Sequence, residues 1–366
     1  MRPWLDILIK PASGRCNLSC KYCFYDDVSS NRSLNDRGLM SLDTLEIIVK
    51  RAFEEAELGV TFGFQGGEPT LAGLDFYMEF IKLCKRYNRR HLPVDFTLQT
   101  NGTLIDDEWC EFLRNHDFLV GLSLDGDEET HNLHRCDSFE KVLSAARTMK
   151  KNGVQFNILT VVTNKNADKA AKMYGFFKEQ GFEFLQFIPA TADFGMPQTD
   201  EDISLTADNY GRFLSEIFDC WFEDFEKGRY VSIRHIDNWV GMLLGRAPES
   251  CAMRGTCSAY ACIEADGSIY PCDFYCTDEN CLGNIAERSF ANLLDDNRAE
   301  SFETASAVFP EECKNCPHLP LCRGGCRRNR DFSGENAFCK GYKMFFDAKK
   351  DKLKKAADIL KKGGIY

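Results

Sequence analysis

Cys16-Asn17-Leu18-Ser19-Cys20-Lys21-Tyr22-Cys23-Phe24-Tyr25 is the stretch on which the reading of this chain turns. It follows an apolar run, Leu5–Ile9, and spaces its thiols C-x3-C-x2-C. Three thiolates on one short loop hold three corners of an iron–sulfur cube and leave one iron without a protein ligand. An open metal position marks a catalytic centre rather than a structural one. The same trio also suits zinc with a fourth donor. No histidine lies near in sequence, so that donor would be distant.

Outward from this loop, β-rich runs alternate with amphipathic ones. Strands are predicted at Leu5–Ile9, Val60–Phe64, Val94–Gln99, Phe118–Leu124, Val154–Val162, Phe184–Ile188 and Val231–His235. Helical periodicity covers Leu42–Ala56, Phe76–Tyr87, Asp106–Asn115, Ser138–Lys151 and Ala167–Gln180, with Ser41 placed to cap the first. The alternation predicts right-handed βαβ units on a parallel sheet. About six units over residues 1–237 suit an α/β barrel, complete or partial. A doubly wound sheet is the alternative that periodicity leaves open. Straight after Val60–Phe64 comes Gln65-Gly66-Gly67-Glu68-Pro69-Thr70. Adjacent glycines at a strand end let a backbone approach a ligand with no side chain between.

Composition narrows the classes. Of 366 residues 44% are apolar and 28% charged, which argues against disorder. The net charge of −11 disfavours a nucleic-acid partner. No apolar run approaches the ~20 residues of a membrane span. Asp6 interrupts the N-terminus before a signal-peptide core could form, so a cytoplasmic location is expected. Eighteen cysteines in a long, core-rich chain without an export signal point to metal rather than disulfides.

The texture changes over residues 238–345, where strands shorten and cysteines cluster. Asp266-Gly267 is predicted as a two-residue hairpin turn between Ala261–Glu264 and Ser268–Tyr270. The thiols run Cys257-x9-Gly267-x4-Cys272, then Cys313-x2-Cys316-x5-Cys322-x3-Cys326, then Cys339. These spacings strengthen the metal reading. A pair of zinc ribbons is the rival, which C-x5-C-x3-C suits poorly. Cys84, Cys110 and Cys220 fall in helical patterns as small core residues. Cys136 is unassigned, and one of Cys262, Cys276 and Cys281 could replace Cys251 as a ligand. Residues 346–366 form a C-terminal helix, and its basic stretch, Lys349 to Lys362, is a solvated amphipathic face rather than a membrane or nucleic-acid contact.

The C-x3-C-x2-C loop, with Tyr22 before its last cysteine, resembles the signature of radical S-adenosylmethionine enzymes. That resemblance implies a partial (β/α)6 TIM-like barrel. It also implies a [4Fe–4S] cluster on Cys16, Cys20 and Cys23 whose open iron chelates S-adenosylmethionine. Reductive cleavage of this cofactor gives a 5′-deoxyadenosyl radical that abstracts a substrate hydrogen. Gly66, Gly67 and Glu68 match the family's GGEP segment, which contacts the methionine amino group. Ser123 would lie near the ribose and Arg135 would pair with the methionine carboxylate; the plain alternatives are a polar strand end and a surface ion pair. The later thiol string resembles the SPASM extension, a cysteine-rich domain with two auxiliary [4Fe–4S] clusters. Its interleaved pattern implies Cys251, Cys257, Cys272 and Cys326 for the first, and Cys313, Cys316, Cys322 and Cys339 for the second.

Five further stretches resemble anaerobic sulfatase-maturating enzymes. They are Ile9–Ser13, Cys20–Tyr25, Phe64–Gly73, Leu98–Ile105 and Tyr270–Tyr275. Such enzymes oxidise a Cys or Ser in a sulfatase motif, C/S-x-P/A-x-R, to Cα-formylglycine. The resemblance implies Asp273 as the base, with an aspartate capping a turn as the alternative. Tyr25 and Gln65, beside the two cofactor motifs, would face the substrate. It also implies a protein or peptide partner, a low-potential electron donor such as flavodoxin or ferredoxin, and a monomer. Two rivals are a maturase of ribosomally made peptides, forming a thioether, epimer or carbon–carbon crosslink, and a non-enzymatic multi-cluster electron carrier. A strand beginning near residue 5 leaves no room for an N-terminal leader-binding domain, and a carrier needs no open first cluster.

Overall fold

The computed structural model describes residues 2–197 and 203–363. Its strands are β1 (Arg2–Ile9), β2 (Ala56–Phe64), β3 (Val94–Thr100), β4 (Phe118–Ser123), β5 (Gln155–Val162), β6 (Phe184–Pro189), β7 (Ser232–Ile233), β8 (Ala261–Ile263), β9 (Ser268–Tyr270) and β10 (Gly283–Asn284). Helices follow most of the parallel strands, so the α/β class holds. The chain forms two compact units that interleave in sequence. One comprises Met1–Ser123, Glu140–Phe156 and Ser258–Glu303; the other comprises Leu124–Phe139, Asn157–Cys257 and Thr304–Tyr366.

In the first unit the strand order is β10-β9-β8-β1-β2-β3-β4. Strands β8, β1, β2, β3 and β4 run parallel, whereas β9 and β10 pair antiparallel. Leu5, Ile7 and Ile9 are buried while Trp4 and Asp6 are exposed, the period-two pattern of a strand with one covered face. Register places Ile9 beside Phe64 and Ile263, and Phe64 beside Leu98, so the strands' C-terminal ends lie level. Phe62, Phe64, Tyr77, Phe80 and Trp109 pack edge to face beneath them at 4.9–5.2 Å between ring centres. The helix Leu42–Glu55 starts where Ser41 accepts from the Thr44 amide, and it buries Leu45, Ile48, Val49, Ala52 and Phe53 at helical spacing.

Two expectations need correction here. The β8–β9 hairpin has a three-residue loop rather than a two-residue one. Glu264 N–H donates to the Ser268 carbonyl and Gly267 N–H to the Glu264 carbonyl, with Gly267 at φ +84° closing the turn. The predicted strand Val231–His235 shrinks to Ser232–Ile233 and runs into the helix Arg234–Leu243. Ile233, Ile236, Trp239 and Val240 are buried at helical intervals, a longer apolar pattern that overrides the short β run.

In the second unit β5, β6 and β7 pair in parallel. The helix Ala207–Glu226, which the sequence reading did not anticipate, packs against the C-terminal helix Cys339–Lys362. The latter begins ten residues before the basic stretch and buries Leu353, Ala356, Ala357 and Leu360. Its lysines are not simply solvated: Lys349 and Lys352 reach Asp219, and Lys355 reaches Glu226. Among the described residues no helix is long and apolar enough to cross a membrane.

Candidate active site and cluster sites

The loop carrying Cys16, Cys20 and Cys23 leaves β1 at Lys10 and returns against the end of β2. Gly67 N–H donates to the Ser13 carbonyl (2.8 Å) and Glu68 N–H to the Arg15 carbonyl (2.7 Å). A side chain on Gly67 would collide with the Arg15 backbone, so the close approach the glycine permits is made by this chain's own loop. The Leu18 amide (3.4 Å) and Asn101 Nδ2 (3.6 Å) both point at the Cys16 sulfur. Donors aimed at sulfur suit a thiolate ligand, against the burial that pushes the free thiol's pKa up.

Glu68 is fully buried and turned inward. Its carboxylate accepts from the Thr70 amide, from the hydroxyls of Thr70 and Thr100, and from the Asn101 amide. Its side chain therefore ties the ends of β2 and β3 together and leaves its backbone toward the loop. Tyr22 is half-buried on the cysteine loop. Ser123 closes β4 and accepts from Gln99 Nε2 at 3.1 Å. In the second unit Arg135 is buried, and its Nε pairs with Asp125 at 2.9 Å. That is an ion pair, but an internal one, not the surface pair weighed against a ligand role.

Three predicted residues converge. The Tyr25 hydroxyl donates to Asp273 Oδ2 at 2.6 Å, and Gln65 Nε2 donates to the same oxygen at 3.0 Å. Asp273 follows Cys272 directly, opens a short 3-10 turn and is 5% exposed. Burial pushes its carboxyl pKa up, against the pull of Lys10 and of the Tyr25 hydroxyl. Around it lie three charged residues that no sequence motif singled out, and two of the thiols offered as alternatives to Cys251. Lys10 and Arg32 are buried cations that both contact the buried Glu264 carboxylate, and Cys262 and Cys276 bring their sulfurs within 3.5 Å. Lys10 lies within Ile9–Ser13, but its burial depends on Glu264, 254 residues away, a pairing no local pattern encodes.

The second unit collects the remaining thiols in two sets. Cys313, Cys316, Cys322 and Cys339 line one cavity. Cys326 instead sits beside Cys251 and Cys257. Between Cys322 and Cys326 three successive residues, Arg323, Gly324 and Gly325, adopt left-handed backbone, which turns the chain from one set to the other. Cys272 belongs to the first unit. Cys84 and Cys110 are buried and Cys220 is half-buried, and none of the eighteen thiols is in a disulfide. Among the described residues one trio of metal-ligating atoms lies within 4.8 Å, and it is Cys262, Asp273 and Cys276. Thiols around a single zinc would stand about 3.8 Å apart, from Zn–S bonds of about 2.3 Å. The wider spread of Cys16, Cys20 and Cys23, and of the cavity-lining four, fits a cube better than one ion.

Comparison with known proteins supplies the family. The radical SAM superfamily matches residues 11–177, and an iron–sulfur cluster-binding domain, SPASM, matches residues 251–317. The cysteine-type anaerobic sulfatase-maturating enzyme of Clostridium novyi is 46% identical, over 97% of this chain and 98% of its own. The serine-type anaerobic sulfatase-maturating enzyme of Bacteroides thetaiotaomicron is 33% identical, over 93% of this chain and 88% of its own. The solved structure of native anSMEcpe with bound AdoMet and Cp18Cys peptide superposes with a TM-score of 0.93 at 43% identity, covering 98% of this chain and 100% of that one. Streptococcus suis SuiB bound to its precursor peptide SuiA, at 19% identity and a TM-score of 0.63, shares the fold alone.

The fold and the thiol sets thus define a radical S-adenosylmethionine enzyme with a SPASM domain, working with S-adenosylmethionine and three [4Fe–4S] clusters. Within that class the chain belongs to the anaerobic sulfatase-maturating enzymes, which act on a protein or peptide.

Proposed function

We propose that this chain oxidises the cysteine of a C-x-P/A-x-R motif in a sulfatase to Cα-formylglycine. The observation that carries the reading is the convergence of Tyr25 and Gln65 on buried Asp273. The preference for cysteine over serine rests on the greater identity to cysteine-type relatives, 46% and 44% against 33%.

Cys16, Cys20 and Cys23 would hold the open cluster. Cys251, Cys257, Cys272 and Cys326 would hold one auxiliary cluster, and Cys313, Cys316, Cys322 and Cys339 the other. Tyr22, the Gly66–Gly67–Glu68 backbone, Ser123 and Arg135 would line the cofactor. When bound, S-adenosylmethionine and the clusters supply one-electron chemistry, namely a hydrogen-abstracting radical and a route for the second electron. Overall the substrate Cβ loses a hydrogen atom, its thiol a proton and the resulting centre an electron, which leaves a thioaldehyde that water hydrolyses to the aldehyde of formylglycine with release of hydrogen sulfide. Asp273 accepts the thiol proton. Tyr25 and Gln65 both bind Oδ2, which fixes the carboxylate's rotation, while Oδ1, whose hydrogen-bond donor is the Cys262 thiol at 3.8 Å, is the oxygen that takes the proton. A flavodoxin or ferredoxin would donate electrons, and the enzyme would act as a cytoplasmic monomer. Residues 1–237, 238–345 and 346–366 would be its cofactor, auxiliary-cluster and helical parts.

The test is anaerobic incubation of the reconstituted enzyme with two short peptides differing only in Cys or Ser at the motif. The cysteine peptide should show the mass loss of formylglycine, and the serine peptide should stay unchanged. Asp273→Asn should still cleave cofactor but lose most product, and an unaltered formylglycine yield would remove the base assignment.

A further inference from the structure

We infer that Lys10 is a positioning residue for the modification step, holding the Asp273 carboxylate in place through its second oxygen; this rests on the reading of Asp273 given above. Lys10 is the first residue past β1, pinned by its backbone N–H to the Ile263 carbonyl at 2.8 Å. Its side chain is 1% exposed, and an ammonium taken out of water must find counter-charge. Lys10 Nζ lies 2.8 Å from Glu264 Oε1, but Arg32 Nη1 lies 2.7 Å from the same oxygen. Two cations on one carboxylate leave a positive charge unmatched.

Among the described residues, the other carboxylate within ion-pair reach of Lys10 is Asp273, with Oδ1 at 3.8 Å. Lys10, Arg32, Glu264 and Asp273 together sum to zero. The same ammonium sits 4.5 Å from the centre of the Tyr25 ring, whose hydroxyl grips Oδ2. One cation therefore steadies both the carboxylate and its main donor. At 3.8 Å it makes no hydrogen bond to Oδ1 that an incoming proton would have to displace.

The experiment compares Lys10→Met, the double variant Lys10→Met/Glu264→Gln, Lys10→Arg and Asp273→Asn as anaerobically reconstituted holoenzymes with the cysteine peptide. The double variant removes one charge of each sign, so it carries the test if Lys10→Met alone does not fold. The readouts are formylglycine formed per cofactor cleaved, and kcat and KM for the peptide, on the cluster-loaded fraction. The double variant should bind its clusters and cleave cofactor like the parent, while product per cleavage falls roughly tenfold or more through kcat. Lys10→Arg should recover part of that loss. A merely structural role would lower cleavage and product together. A parental ratio in the double variant, with a low ratio in Asp273→Asn, would overturn the role of Lys10 alone. A parental ratio in Asp273→Asn would overturn the base and Lys10 with it. A double variant that yields no cluster-loaded protein would assign Lys10 to the fold and overturn the proposal.

Discussion

Gly67 shows how much a single residue carries at this site. The cysteine loop lies on it so closely that any Cβ meets the Arg15 carbonyl. Backbone atoms on both sides cannot yield as a flexible side chain would. Gly67→Ala should therefore push the loop away and misplace Cys16, Cys20 and Cys23. The expected result is a holoenzyme with about eight irons rather than about twelve, and no cofactor cleavage, because only the two fully ligated cubes remain. Anaerobic iron analysis and a 5′-deoxyadenosine assay check this.

Elements are joined here by buried polar groups as much as by apolar faces. After β4 the short helix Glu128–Asn132 places His131 under the chain at Asp125. The Asp125 amide donates to His131 Nδ1 at 3.2 Å, and His131 Nε2 meets the Ser138 hydroxyl at 3.0 Å. With Nδ1 accepting, the ring is neutral. Burial lowers its pKa to about 4 from an ordinary 6.5. The unfolded chain binds a proton that the folded chain refuses, so stability is present above about pH 6.5 and is lost as pH falls toward about 4. This one group should cost about 2 kcal/mol at pH 5 relative to pH 7. Anaerobic urea unfolding at the two pH values should show the loss in the parent and a smaller one in His131→Asn.

At the scale of the whole molecule, three clusters predict about twelve irons per chain. Cys322→Ala and Cys326→Ala should each remove about four, since the two thiols belong to different sets. Iron and sulfide near four in the parent protein would remove the auxiliary clusters from the account.

The thiol spacings, the alternation of strand and helix and the glycine pair were all legible in the chain. Each is a local pattern: a loop that wraps a metal, a period of two or of 3.6, a backbone without a Cβ. The tertiary structure alone decided which distant groups meet. Tyr25 and Asp273 lie 248 residues apart, and Lys10 neutralises a carboxylate contributed by β8's far end. It also decided that Glu68 turns inward onto Thr100 and Asn101, because burial is settled by packing partners that no local window contains.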